Sequence, residues 1–204
     1  MMSRLKIYGV TGSRAYRTVW MAQELGLDYE QIPVRFDNGE TRSPEFLKIN
    51  PNGHVPAIRD GDLTLWESMA INLYLARKHG KGLWPSSVED EGRAFMWSFW
   101  AITEIEPRVL RAAIHRSWMP EEKRDEAVAA AAEKELETPL RVLDGALDGR
   151  DYLLGGGFTV ADLNLADPVS WTRPAKIGLG AFPRVEAWLK RCLDRPAARA
   201  ARKG

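Results

Sequence analysis

The sequence predicts a two-part chain: a small mixed α/β domain followed by an all-helical one. Three observations carry this. Leu5–Val10 alternates, Ala15–Leu25 repeats at helical spacing and Tyr29–Val34 alternates again, which makes a strand–helix–strand unit; such units cross over right-handed as a rule. Asp60-Gly61 sits between Ala57-Ile58-Arg59 and Leu63-Thr64-Leu65-Trp66, a two-residue hairpin signal. Beyond Ser87 no strand pattern recurs, and long helical periodicities take over.

Each element has a local reason. After the first strand, Thr11-Gly12-Ser13-Arg14 is a turn. Val19, Trp20, Ala22 and Leu25 share a face of the first helix, and Gly26 stops it. Ser43-Pro44 opens a short helix, with proline where its missing N–H costs nothing. The hairpin follows, and Ser68 opens a helix that Gly80 closes. The first domain is thus expected over 1–80, in the order βαβαββα. A Gly-, Pro- and Ser-containing linker is expected over 81–88. The helical domain is expected over 89–204. It has a helix from Glu89 to Trp118 bent at Pro107 and another from Glu121 to Leu147 interrupted at Pro139. Phe158-Thr159-Val160-Ala161-Asp162-Leu163 reads as a capping box, Asp162 taking the usual Glu/Gln role. The helix it opens runs to about Thr172; Phe182-Pro183 starts another, and Ala197–Lys203 is a basic tail helix.

Composition narrows the function classes. The 204 residues are 45% hydrophobic and 28% charged with a net charge of +1, which gives no basic field for nucleic acid or an anionic membrane. No apolar run of membrane-spanning length occurs, and Met1–Leu5 runs into a strand without a leader's apolar core. The cytoplasm is therefore the expected compartment. Cys192 is the single cysteine, so an intrachain disulfide, a Cys-x-x-Cys redox pair and a thiolate zinc site are ruled out. His54, His79 and His115 have no ligand spacing, and no metal is expected.

The chemistry gathers around Asn50-Pro51-Asn52-Gly53-His54-Val55-Pro56 and Glu67-Ser68. Pro56 fixes its φ and lacks an N–H. A cis Val55-Pro56 bond would aim the Val55 N–H and C=O outward together, to hold a peptide ligand as an added strand; the plain alternative is a loop proline opening a strand. Glu67-Ser68 lies where a strand gives way to a helix, and free N–H groups with the helix dipole favour an anion there. Ser68 also suits a simple helix cap.

The stretches Ser13-Arg14-Ala15-Tyr16-Arg17, Asn50 to Ala57, Glu67-Ser68-Met69-Ala70-Ile71 and Thr159-Val160-Ala161-Asp162 occur in order at suitable spacing. Over essentially its whole length the chain resembles the soluble glutathione transferases. It is most similar to bacterial, theta-related members of the serine/cysteine-type group. The resemblance implies a thioredoxin-like N-terminal domain followed by an all-α helical bundle. It also implies cytoplasmic homodimers, a role in detoxification and reduced glutathione as co-substrate, with no permanently bound cofactor.

By the same resemblance, Val55 before a cis Pro56 pairs by its backbone with the cysteinyl part of glutathione. Glu67 and Ser68 hold the γ-glutamyl end, and His54 approaches the glycyl end. Ser13 donates to the ligand sulfur, although Thr11, Tyr8 and Tyr16 are further groups able to face it, and an N-cap is the other use of Ser13. Arg14 and Arg17 raise the local potential or lie in solvent. The electrophile's site is expected between the domains, with Tyr16, Trp100, Glu104 and Arg108 as wall residues; Trp97, Trp100, Glu104 and Arg108 share one helical stripe. Core packing is the alternative for the tryptophans, and contact with a partner subunit's glutathione the alternative for Glu104. The expected activity is conjugation of the tripeptide thiol to a small, hydrophobic electrophile, with isomerase, dehalogenase and peroxidase chemistry as neighbours. The alternative is a non-catalytic binding or assembly module.

Overall fold

The computed structural model describes residues 4–203. Residues 1–3, on which the leader reading partly rests, and residue 204 lie outside that range. The chain divides into two compact units: 1–84 together with 194–204, and 85–193. The last segment, expected with the helical domain, thus groups with the first.

The first unit is a thioredoxin-like α/β layer. Strands β1 (Leu5–Tyr8), β2 (Tyr29–Ile32), β3 (Ala57–Asp60) and β4 (Leu63–Trp66) form one sheet in the order β2-β1-β3-β4. β1 runs parallel to β2 and antiparallel to β3, and β3 runs antiparallel to β4. Helices α1 (Ala15–Glu24), α2 (Pro44–Leu47) and α3 (Ser68–His79) complete it, along with α9 (Pro196–Ala201) from the end of the chain. Ile7, Val19, Met21, Ile58, Ile71 and Leu75 are its fully buried apolar centre.

Two strand ends fall short of expectation for local reasons. β1 stops at Tyr8 because Gly9 turns out at φ +129° and donates its N–H to the Ile32 carbonyl at 2.9 Å. β2 stops at Ile32, ahead of Pro33, which has no N–H to give a ladder. The hairpin loop is Gly61-Asp62 rather than Asp60-Gly61. Asp60 stays in the ladder opposite Leu63, and Gly61 takes φ +63° at the first loop position, where a glycine-first two-residue turn requires it. The Asp60 carboxylate is then free to accept from Tyr74 at 2.9 Å and Lys78 at 2.6 Å on α3.

The second unit is helical: α4 (Val88–Trp100), α5 (Glu106–Ala113), α6 (Glu126–Ala146), α7 (Val160–Ser170) and α8 (Pro183–Leu193). Wide π-turns at Ala101–Ile105 and Ile114–Trp118 continue α4 into α5 and α5 beyond its end. Instead of a simple bend at Pro107, the helix widens just before it. Pro107 has no N–H for the carbonyl four residues back, and Arg108 supplies the donor: its Nη1 reaches the Thr103 carbonyl at 3.2 Å and the Glu104 carbonyl at 2.6 Å. α6 runs through Pro139 without interruption. The capping box of α7 forms: the Thr159 N–H and hydroxyl both donate to Asp162 Oδ2, at 3.0 and 3.2 Å. The other carboxylate oxygen accepts from the Leu153 N–H and the Trp188 indole, each at 2.9 Å. Burial pushes the Asp162 carboxyl upward, against the pull of these four donors.

Candidate active site

The first unit brings the N-terminal turn of α1, the loop before β3 and the start of α3 around the same end of the sheet. Gly9 makes this approach possible. A Cβ there would stand 2.7 Å from the Ala15 Cβ and 3.1 Å from the Val55 Cβ, so α1 and the Val55 loop close on β1 only over a residue without a side chain.

Ser13 lies in the turn before α1, part-buried. Its hydroxyl donates to the Val10 carbonyl at 2.6 Å and accepts the Ala15 N–H at 3.1 Å. The turn does not depend on that donation, because the Ser13 N–H also reaches the Val10 carbonyl, at 3.0 Å. A rotated hydroxyl therefore leaves no buried acceptor empty. Among the alternative donors, Tyr8 packs its ring on Phe46 at 6.2 Å. Tyr16 is buried, and its hydroxyl donates to the Ala198 carbonyl at 3.2 Å.

The Val55-Pro56 bond is cis. The β1–β3 ladder begins at Ala57, opposite Tyr8, so the Val55 backbone lies outside it. Val55 packs with Phe46 and Ala57. The loop is held by Asn50, a buried residue whose Nδ2 donates to the His54 carbonyl at 2.7 Å and whose Oδ1 accepts the Asn52 N–H at 3.0 Å. Gly53, at φ +63°, would press a Cβ to 2.8 Å from the Thr41 carbonyl. The Arg42 guanidinium donates to the Asn52 carbonyl at 3.1 Å, and His54 is exposed.

Glu67 precedes α3 at φ +74°, a conformation that costs a non-glycine residue about 1–3 kcal/mol. Its side chain does not cap the helix. The first N–H groups of α3 thus face a site whose flanking residue is held in strain. Ser68 is buried, and its hydroxyl accepts from Arg17 Nη1 at 3.2 Å. Arg17 is completely buried, which corrects the alternative of a solvated arginine. Sequence reasoning missed how deep it sits. Its one signal was position: Arg17 follows Ser13 by one helical turn, on the side facing the sheet and α3.

In the second unit, Trp100, Glu104 and Arg108 line a groove of about 320 Å³ with Glu135, Thr138, Pro139 and Val142 of α6. Trp100 packs edge-on against Trp97 at 5.2 Å, and Trp97 itself is core. Arg108 also meets the Glu104 carboxylate at 3.1 Å, so its charge is spent on its own helix. Tyr16 belongs to the other unit, where its hydroxyl donates to the Ala198 carbonyl. Among the described residues no cluster of three His, Cys, Asp or Glu suits a metal, and no helix is long and apolar enough to cross a membrane.

A thioredoxin-like sheet with a cis-proline loop and an anion-ready helix start, followed by a helical bundle, defines the glutathione-transferase class. Comparison with known proteins agrees. Residues 3–77 match the family model for the glutathione S-transferase N-terminal domain, and residues 108–196 that for its C-terminal domain. A probable glutathione S-transferase of Oryza sativa subsp. japonica is 34% identical over 203 residues, covering 96% of this chain and 94% of the relative. A glutathione S-transferase of Escherichia coli is 33% identical over 204 residues, covering 96% of each. The theta class glutathione S-transferase of Xanthomonas axonopodis pv. citri, solved with glutathione bound, superposes with a TM-score of 0.92 at 30% identity, over 100% of this chain and 99% of that one. The chain belongs to the glutathione S-transferase family.

Proposed function

We propose that this protein binds reduced glutathione, stabilises its thiolate and conjugates it to a small apolar electrophile, as a serine-type, theta-related cytoplasmic transferase. The observation that carries the reading is the buried Arg17–Ser68 hydrogen bond at the start of α3. Because the Ser68 oxygen accepts from a guanidinium, its own proton is polarised to donate. With the free N–H groups of the helix start, it receives the γ-glutamyl carboxylate. Glu67 takes the neighbouring ammonium. The Val55 backbone pairs with the cysteinyl residue, and His54 meets the glycyl carboxylate. Ser13 turns its hydroxyl from the Val10 carbonyl to the sulfur.

The energetics divide the work. A free thiol of pKa about 8.5 is roughly 3% ionised at pH 7. Lowering it by about two units takes roughly 2.7 kcal/mol, within reach of one charge-assisted hydrogen bond and a helix N-terminus. The thiolate fraction rises about 25-fold while its intrinsic nucleophilicity falls about 8-fold, a net gain of only about 3-fold. Most of the acceleration therefore comes from holding the electrophile beside the sulfur. The electrophile residues we assign are Trp100 and Glu104, in the helical unit's own groove, with Arg108 holding the helix behind them. Phe95 and Phe99, one turn apart on α4, and Met96 are 42%, 61% and 51% exposed, an apolar face that supports assembly as a homodimer.

The test is calorimetry of reduced glutathione on wild type and Ser68→Ala, with thiolate absorbance near 240 nm read on the bound ligand and turnover read with an activated aryl chloride. Binding that weakens in the variant, a thiolate signal at neutral pH and turnover support the proposal. Binding without turnover of any electrophile favours the binding-module alternative. Absence of binding at millimolar ligand rejects the glutathione site.

A further inference from the structure

Tyr16, Trp20 and Glu24 lie at i, i+4 and i+8 of α1, a single stripe. The C-terminal segment grips that stripe at both ends. Arg195 forks onto Glu24, Nε to Oε1 at 2.6 Å and Nη2 to Oε2 at 2.8 Å. The Glu24 side chain is only 7% exposed, and it also takes the Trp20 indole N–H at 3.0 Å. At the other end the Tyr16 hydroxyl donates to the Ala198 carbonyl, and the Arg202 guanidinium lies 5.5 Å from the Tyr16 ring centre. Two anchors eight residues apart span about 12 Å of helix, so α1 can neither slide nor turn about its axis while both hold.

The rotation of α1 matters because other faces of the same helix carry the site. Ser13 lies in the turn that opens it, and Arg17, beside the gripped Tyr16, reaches Ser68. We propose that residues 194–202 form a positioning clamp for the thiol site, with Arg195 its chief positioning residue: by fixing the azimuth of α1 the clamp sets where the Ser13 hydroxyl and the Arg17 guanidinium point. This rests on the glutathione reading above. It adds a part of the chain that touches no ligand and lies 171 residues from its partner Glu24.

The test uses the full chain as wild type, Arg195→Gln, Arg195→Lys and Glu24→Gln, which keeps an acceptor for the Trp20 indole and loses the ion pair. Three quantities are read well below each melting temperature: the glutathione dissociation constant, the pH midpoint of thiolate absorbance on the bound ligand, and the melting temperature itself. Arg195→Gln is expected to bind about tenfold more weakly and to titrate its bound thiol at higher pH, and Glu24→Gln to shift both in the same direction. If Arg195→Gln does not fold, Arg195→Lys, which keeps the charge and loses the fork, carries the same comparison. A lower melting temperature with an unchanged dissociation constant and midpoint overturns the clamp and leaves an ordinary structural ion pair. Wild type that fails to bind glutathione overturns the functional proposal itself; wild type that binds alongside unaffected variants overturns the clamp alone.

Discussion

The Arg17 guanidinium donates to the Ser68 hydroxyl at 3.2 Å, and both side chains are buried. Replacing Arg17 by methionine keeps much of the volume and removes the cation. A hydrogen bond to a charged group contributes about 1.5–3 kcal/mol, so glutathione binding should weaken by roughly ten- to a hundredfold. Arg17→Lys should recover only part of it, because the ammonium keeps the charge but sits on a shorter, differently shaped stem. Calorimetry of the two variants beside wild type decides this; equal affinity in all three would remove Arg17 from the site.

Ser13→Ala separates ionisation from rate. The thiolate signal of bound glutathione at pH 7 should fall by up to about 25-fold, while kcat at the same pH falls only about 3-fold, since the more basic thiolate is also the better nucleophile. A much larger loss of kcat with the thiolate signal intact would mean that Ser13 positions the electrophile instead.

Gly9→Ala sets a Cβ at φ +129° and 2.7 Å from the Ala15 Cβ. Stability should drop by about 1–3 kcal/mol from backbone strain alone. Glutathione affinity should drop with it, because α1 and the Val55 loop are forced apart. Denaturant unfolding with a binding titration on the folded variant reads both effects.

Arg108→Met distinguishes a helix-mending arginine from a ligand-binding one. Loss of the donor to the Thr103 and Glu104 carbonyls should destabilise the chain by about 1–3 kcal/mol. An arginine that serves an anionic electrophile would instead raise KM for that substrate and leave the melting temperature alone.

Acid should act on the second unit through Asp144. Burial, the largest influence, raises its carboxyl. The Arg184 side chain and the N–H groups of Val185 and Arg184 outweigh it and hold the group below its ordinary 3.8. A carboxyl depressed in the folded state adds stability above its unfolded pKa and loses it as pH falls through the folded value. The melting-temperature difference between wild type and Asp144→Asn should therefore be full at neutral pH and shrink below about pH 4. A difference independent of pH would exclude the ion pair as its source.

How much of this was legible depends on the range of each interaction. The helix start at Ser68 and the Thr159–Asp162 box are written in neighbouring residues and formed as read, whereas the Val55-Pro56 step left cis and trans open and the structure has it cis. Hairpin register slipped by one residue because Asp60 has distant partners, Tyr74 and Lys78, that keep it in the strand. Arg17 reads as a surface residue until Ser68, 51 positions on, is folded against it. The partner of the Tyr16 hydroxyl, the Ala198 carbonyl, lies 182 positions on and is equally out of sight. Pro107 announced a break, but not that the next residue would mend it from the side.

The return of the chain's last segment to its first helix has a consequence for biosynthesis. Trp20 and Tyr16 are shielded in the finished protein, yet Arg195 leaves the ribosome 171 residues after Glu24. At about 5–20 residues per second, that is roughly 10–30 s of translation. For that interval the nascent N-terminal unit carries its tyrosine–tryptophan stripe without α9 against it.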